Sequence, residues 1–378
     1  MRINRPEKVR LHSKTVKKWW TVGRTWWMGA AIGTGLFWMA SPWFVRSYVA
    51  RVQDAVRGVS VLQPGSKYRW RAEGYASTRV GPHGMMGRTS LPDTDASTII
   101  ALWGDSQAEG VCVADDLKLW SRLQASLRRR IETRVDVLPL ARSGDDAADW
   151  SRQLAAVEAQ LSVDAHVVLL TDLQDLAEEP PQSTTNADGV FTSVFVHWLP
   201  DFVVHAFRRV IDDPATGARR RLRFSFGPVA SPGHEASTLS LASTSQLDDV
   251  DSDAGHGTID AGLRRLVRSA DRPIFIVHAA NRPLIMGNQI HVDDGDPESS
   301  RTTADQCRVL DIGWLDVGSD LVAAWQSDGV MAFGFHHGRL GSGHLNANGY
   351  EVIAESAANW LASQSFLREK AFRRSGAH

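Results

Sequence analysis

Only two cysteines, Cys112 and Cys307, occur in the 378 residues. No Cys/His cluster shows zinc-ligand spacing, and the adjacent pair His336-His337 is not a metal motif by itself. No metal and no cofactor is expected on these grounds. Charge of one sign is also lacking, because the formal net charge is −1. That balance hides an asymmetry. Residues 1–24 hold eight Lys/Arg against Glu7, a net of +7, so the remainder carries −8. A mildly acidic body argues against nucleic acid as the partner. No internal repeat interrupts the chain.

What is present begins with a hydrophobic run. Thr25 to Val45 is 21 uncharged residues between Arg24 and Arg46, about the length of a helix that crosses a bilayer. Trp19, Trp20, Trp26, Trp27, Trp38 and Trp43 crowd its ends, as interfacial aromatics do. The reading is a basic tail over 1–24, a transmembrane helix over 25–45, and a body from 46 onward. The positive leader predicts a cytoplasmic N-terminus at a bacterial inner membrane and a periplasmic body. A signal peptide is disfavoured by the long leader and the absence of a small-x-small cleavage site. In the periplasm a Cys112–Cys307 disulfide is permitted; two buried free thiols are the alternative. Gly29 and Gly33 form a GxxxG pair of the kind that marks helix contacts.

Residues 46–95, rich in glycine turns, read as a stalk and lead-in. From 96 to 365 short apolar runs alternate with helical ones. Strands are expected at Thr98–Trp103, Val135–Leu140, Ala165–Leu170 and Pro273–His278, with a fifth at Arg308–Ile312. Helices are expected at Leu117–Ile131, Asp146–Leu161 and Ala347–Leu361, each with an apolar stripe at helical spacing. This alternation predicts an α/β fold, a mostly parallel sheet with helices on both faces. An insertion over 178–260 breaks the rhythm. It contains an amphipathic segment at Val194–Arg209, a basic stretch at 217–223, and a long polar loop at Ser231–Gly257. Residues 366–378 form a basic tail.

Two short stretches carry chemistry. In Leu102-Trp103-Gly104-Asp105-Ser106 a serine follows a buried strand. In Gly343-His344-Leu345-Asn346 a histidine precedes a helix. A serine hydroxyl needs a base before it is a useful nucleophile at neutral pH, and a distant histidine can fold back to supply one. Ser106 as nucleophile and His344 as base therefore point to acyl transfer through a serine ester. The bland alternatives are a helix-capping serine and a structural histidine. His278, His336 and His337 are fallback bases.

The chain resembles the SGNH/GDSL family of serine esterases and carbohydrate O-acyltransferases over about residues 96–180 and 270–363. Gly104-Asp105-Ser106 matches its first block and Gly144 its second. The third is matched by Leu173-Gln174-Asp175, with Gln174 where the family has asparagine. His344, Leu345, Asn346 and Gly349 match the last, with Gly341 and Ser342 where the family has aspartate. The resemblance implies a flavodoxin-like three-layer fold. It implies an oxyanion hole from the backbone N–H of Ser106, Gly144 and Gln174; Gly84–Arg88 resembles the Gly-x-Arg lead-in of membrane-anchored members, with packing of the fold's edge as the plain alternative. The acid that orients the histidine is missing; a backbone carbonyl or an acid such as Asp328 is the substitute to look for.

By the same resemblance the substrate is an acylated, most simply acetylated, carbohydrate or polysaccharide of the envelope. A membrane O-acyltransferase and a polysaccharide synthase are the implied partners. Trp70, Trp103, Trp198, Trp314 and Trp325 are candidate sugar platforms, against a core role. Two other readings stay open. One is an esterase or lipase for lipid or small esters. The other is a non-catalytic glycan-binding or scaffold component.

Overall fold

In the computed structural model the described residues are 13–93, 97–131, 133–177, 252–280, 282–286, 289–292, 297–337 and 339–367. The basic stretch at 217–223, the amphipathic segment at 194–209, most of the insertion and the tail after 367 lie outside them.

The chain opens with helix α1, Ser13–Phe44, which is 32 residues long. Its tryptophans and aliphatic side chains from Trp19 to Phe44 are largely exposed. Among the described residues, however, no helix is long and apolar enough to cross a membrane. The span expected over 25–45 has the length but not the apolarity, because glycine, threonine, serine and tryptophan dilute its aliphatic residues.

Two small hairpins follow. β1, Arg51–Gln53, pairs antiparallel with β2, Ser60–Leu62. β3, Lys67–Arg69, pairs antiparallel with β4, Ser77–Arg79. Next come β5 (Thr98–Trp103), the single turn α2 (Ser106–Glu109), α3 (Leu119–Arg130), β6 (Val135–Pro139), α4 (Ala147–Leu161) and β7 (Ala165–Leu170). After the insertion come α5 (Ser252–Ser269), β8 (Ile274–His278) and a hairpin of β9 (Leu284–Met286) with β10 (Gln289–His291). The chain closes on α6 (Pro297–Val309), β11 (Gly313–Asp316), α7 (Gly318–Asp328) and α8 (Ala347–Ala362).

β5, β6, β7, β8 and β11 form one sheet in the order β11-β8-β7-β5-β6, and every neighbouring pair is parallel. Counted along the chain this is 2-1-3-4-5, a doubly wound order that reverses direction between its first and third strands. Side chains of a strand alternate between faces, and β5 shows why both faces must be covered. Ile100 and Leu102 enter a core with Leu119, Leu123 and Leu127 of α3 and Ile353, Ala357 and Leu361 of α8. Ile99, Ala101 and Trp103 enter a second core with Trp150, Leu154 and Val157 of α4 and Leu263 and Leu266 of α5. The α/β expectation of a parallel sheet between two helical layers is met.

Two local readings are corrected, and the cysteines take the second of the two readings left open for them. Arg308–Ile312 is not a strand; it is the end of α6 and the turn after it, and the fifth strand is Gly313–Asp316. The helical spacing of the buried residues Ser300, Thr303 and Cys307 is the signal that decides this. The polar loop ends early, since α5 begins at Ser252. Both cysteines are free and buried. Cys112 packs with Val80, Met86 and Val111, while Cys307 lies in the core beneath α4 and α5.

The lead-in is bound to the sheet domain by buried arginines. Arg57 donates from Nε to Gln153 Oε1 at 2.8 Å and from its terminal nitrogens to the carbonyls of His83 and Leu140. Arg88, at the end of the Gly84–Arg88 stretch, donates to Asp136 at 3.0 Å and to the Val137 carbonyl, against β6 at the sheet edge.

Candidate active site

Ser106 and Gln174 follow β5 and β7, the two strands that flank the reversal of strand order. In open α/β sheets ligands bind beyond the carboxyl ends of the strands at this point. The turn from β5 into α2 is tight. Gly104 sits at φ 142°, and a Cβ there would meet Ala108 Cβ at 2.6 Å and the Leu169 carbonyl oxygen at 2.7 Å. Only glycine fits such a turn without strain. Asp105 caps α2 by accepting from Gln107 N at 2.8 Å, and Ser106 Oγ donates to its other oxygen at 3.3 Å. Asp105 thus braces the turn, and the half-buried Ser106 begins the helix.

His344 is brought to this turn by its neighbours. The Gln107 side chain accepts from Leu345 N at 2.8 Å and donates to the Gly343 carbonyl at 3.3 Å. One amide therefore clamps the backbone on both sides of His344 to the residue after Ser106. Asn346 holds the other side. Its Oδ1 accepts from Asn348 N and Gly349 N at the start of α8, while its Nδ2 donates to the carbonyls of Met331 and Gly334.

The acid that meets the histidine is Glu73, a residue outside the sequence pattern. Its Oε1 is hydrogen-bonded to His344 Nδ1. The residue lies in the lead-in, 271 positions before its partner. The loop over 341–343 lies against this carboxylate. Gly343 has φ 89°, and a Cβ there would stand 3.0 Å from Glu73 Oε2. Nδ1 of the imidazole is thus engaged by an acid. Trp70 stands edge-on to the ring with centroids 6.4 Å apart.

The remaining expected residues fall in different places. Gly144 is exposed, with open space around its Cα. Its loop is tied to the serine turn by Arg142 N donating to the Gly104 carbonyl at 3.2 Å and Ser143 N donating to Glu109 at 3.1 Å. Burial pushes the Glu109 carboxyl up from its usual range. Gln174 is exposed on the turn Leu173–Leu176, which Asp172 caps by accepting from Gln174 N at 2.9 Å. The next residue, Asp175, is pushed up to about 7 by burial and then by the charges of Asp105, Asp172 and Asp146. It therefore retains a proton into the neutral range close to the serine turn.

The fallback histidines are held elsewhere. His278 Nδ1 pairs with Asp316 at 3.2 Å, and its ring stacks on Trp314. His337 Nε2 accepts from Gly74 N at 2.9 Å, and its ring packs on Tyr75. It braces the segment that carries Glu73. Asp328 ends α7 and accepts from Ser327 Oγ; the acid on His344 is Glu73 instead. Trp103 is fully buried and donates to His166 at 3.0 Å, so it is core and no sugar platform. Trp198 lies outside the described residues.

No protein-family model and no curated protein matches the chain. Among solved structures, it is similar to a two-domain esterase active on acetylated mannans and co-crystallised with mannopentaose. The TM-score is 0.36 at 10% identity, over 71% of this chain and 50% of that one, so the chain spans half that enzyme's length. It is also similar to an α/β hydrolase enzyme from the metagenome of Lake Arreo, Spain, with a TM-score of 0.35 at 11% identity, over 71% of this chain and 97% of that one. Likeness of this extent carries no argument about activity.

Proposed function

We propose that the chain is a serine esterase or O-acyltransferase of SGNH type, with Ser106 as nucleophile, His344 as base and Glu73 as the acid that orients it. The observation that carries this reading is the Glu73–His344 pair, joined through the Gln107 clamp to the turn bearing Ser106. Ser106 Oγ attacks the ester carbonyl carbon while its proton passes to His344 Nε2. The negative charge that forms on the former carbonyl oxygen is met by N–H groups of Ser106 and Gly144 and by the Gln174 side-chain amide. Each such donor contributes ~10²–10³ in rate in comparable sites. The ester C–O bond then breaks, and the leaving alcohol takes the proton from His344. Water, or a sugar hydroxyl, attacks the acyl-enzyme by the reverse route. Glu73 stabilises the imidazolium formed in each step.

The proposed substrate is an acyl, most simply acetyl, ester of an envelope or secreted polysaccharide. Two aromatics beside the pair support a carbohydrate. Trp70 lies against His344, and Tyr75 is 51% exposed two residues after Glu73; flat aromatic faces with polar edges suit sugar rings. A membrane O-acyltransferase and a polysaccharide synthase are the proposed partners. The basic leader and the uncovered apolar surface of α1 support a body held at the inner membrane on its periplasmic side.

The test is intact mass after exposure to an activated acetyl ester. A single acetyl adduct is expected on the wild-type chain and none on Ser106→Ala; His344→Ala should acylate far more slowly. A well-folded wild-type chain with neither adduct nor acetate release would overturn the catalytic reading in favour of a glycan-binding or scaffold component.

A further inference from the structure

Cys112 has no part in the chemistry above, yet its Sγ lies 4.0 Å from Glu73 Oε1. The same carboxylate oxygen holds His344 Nδ1. Ligand atoms of all three residues lie within 4.8 Å of one another. Sulfur, imidazole nitrogen and carboxylate oxygen from positions 112, 344 and 73 make a donor set that no local spacing in the sequence announces. Around a tetrahedral zinc ion, bonds of about 2.0–2.3 Å hold such atoms roughly 3.5 Å apart. The three groups reach that geometry by small movements of two side chains that are not locked in the core, since Glu73 and His344 are 21% and 24% exposed. Cys112 itself is 1% exposed and forms the floor. The exposed parts of Glu73 and His344 leave the ion's fourth position to water.

We propose that Glu73, Cys112 and His344 form an inhibitory site for a thiophilic divalent cation, Zn²⁺ foremost, which competes with the catalytic use of the pair. Sulfur and nitrogen ligands select zinc over magnesium and calcium, which prefer oxygen. On binding, the Cys112 thiol loses its proton to solvent and its sulfur bonds the ion. The imidazole gives its Nδ1 lone pair to the ion and carries its proton on Nε2. One proton leaves per ion, and nothing is oxidised or reduced. In that state Nε2 cannot accept the Ser106 proton, and Glu73 is no longer free to orient the ring. Metal binding and acyl transfer then exclude each other. The inhibition limb rests on the serine-esterase reading; the binding limb does not.

The test uses the full chain in detergent, with Co²⁺ as a spectroscopic stand-in for Zn²⁺. A thiolate-to-cobalt charge-transfer band is expected in wild type and in Cys307→Ala, abolished by Cys112→Ser and bleached by added Zn²⁺. Zn²⁺ should inhibit ester hydrolysis reversibly, with half-inhibition in Cys112→Ser moved up by at least about 10-fold relative to that variant's own metal-free rate. No band in wild type, a band that survives in Cys112→Ser, or equal Zn²⁺ sensitivity of the two chains would overturn the site. If Cys112→Ser fails to fold, Glu73→Gln must also weaken the band, and full retention there overturns the proposal. The cobalt band needs no turnover, so it decides the site even for a chain that hydrolyses nothing.

Discussion

Glu73 shows how far a single residue can sit from its pattern. It follows Trp70-Arg71-Ala72 in a stretch with no acidic motif, and it precedes His344 by 271 positions. The only sequence signal was indirect. Gly341, Ser342 and Gly343 offer no carboxylate, which leaves a backbone carbonyl or an acid from elsewhere as the substitute. Distance along the chain carries no information about which one, because the pairing is made by folding the lead-in over the site. Ser106 and His344 stand out in the sequence for the opposite reason, since each lies within three residues of a strand end or helix start. If Glu73 orients His344, Glu73→Gln retains the shape and removes the charge that stabilises the imidazolium. The expected outcome is a fall in kcat of at least about 100-fold on an activated ester, by analogy with the loss of the acid in other serine triads. The melting temperature should move little, as the pair is partly exposed. Steady-state kinetics beside a thermal melt check both; unchanged kcat would return the acid role to another group.

Elements were read from periodicity, and periodicity worked where burial was two-sided. Ala165–Leu170 was recovered residue for residue, and Ala147–Leu161 and Ala347–Ala362 came within one residue. A short, wholly apolar run between helical segments fits a strand buried on both faces of a parallel sheet. Arg308–Ile312 is not a strand because a short run with an apolar end is ambiguous, and the helix of Pro297–Val309 takes its first two residues. Asn346 is another element-scale case. The family resemblance marks it as part of a motif, and its hydrogen bonds show a mechanical role. It caps α8 with its oxygen and ties the loop over 331–334 with its nitrogen. Asn346→Ala should cost about 1–2 kcal/mol for the lost cap. It should also lower kcat more than it raises KM, because the tether sets where His344 stands. Chemical denaturation and steady-state kinetics read the two effects, and a loss of stability with kcat intact would separate the cap from the site.

For the whole molecule, the lead-in is the decisive part. A stalk would tolerate removal, but residues 46–93 supply the acid, the brace at Gly74, and Arg57 and Arg88 buried against the sheet domain. If α1 holds the body at a membrane and the proposed activity is real, a chain cut before residue 46 leaves the membrane fraction and keeps that activity. A chain cut before residue 96 should lose the proposed activity and be less stable, because it bares the apolar surface that Met85 and Met86 cover, leaves Gln153 without Arg57, and takes Arg88 from Asp136, which keeps Arg128. Fractionation, followed by activity and melting of each soluble product, checks this. An active chain starting at 96 would restore the stalk reading, and a chain from 46 still held in membranes would remove α1 as the attachment.

The sequence by itself determined the α/β class and the parallel strands, because these depend on local periodicity. The tertiary structure alone decided the strand order that puts Ser106 and Gln174 beside the point of reversal. It alone decided the Gln107 clamp, the separation of the two cysteines, and the meeting of Glu73, Cys112 and His344. Those are contacts between segments far apart in the chain. Their chemistry depends on distances of a few ångströms that only the closed fold sets.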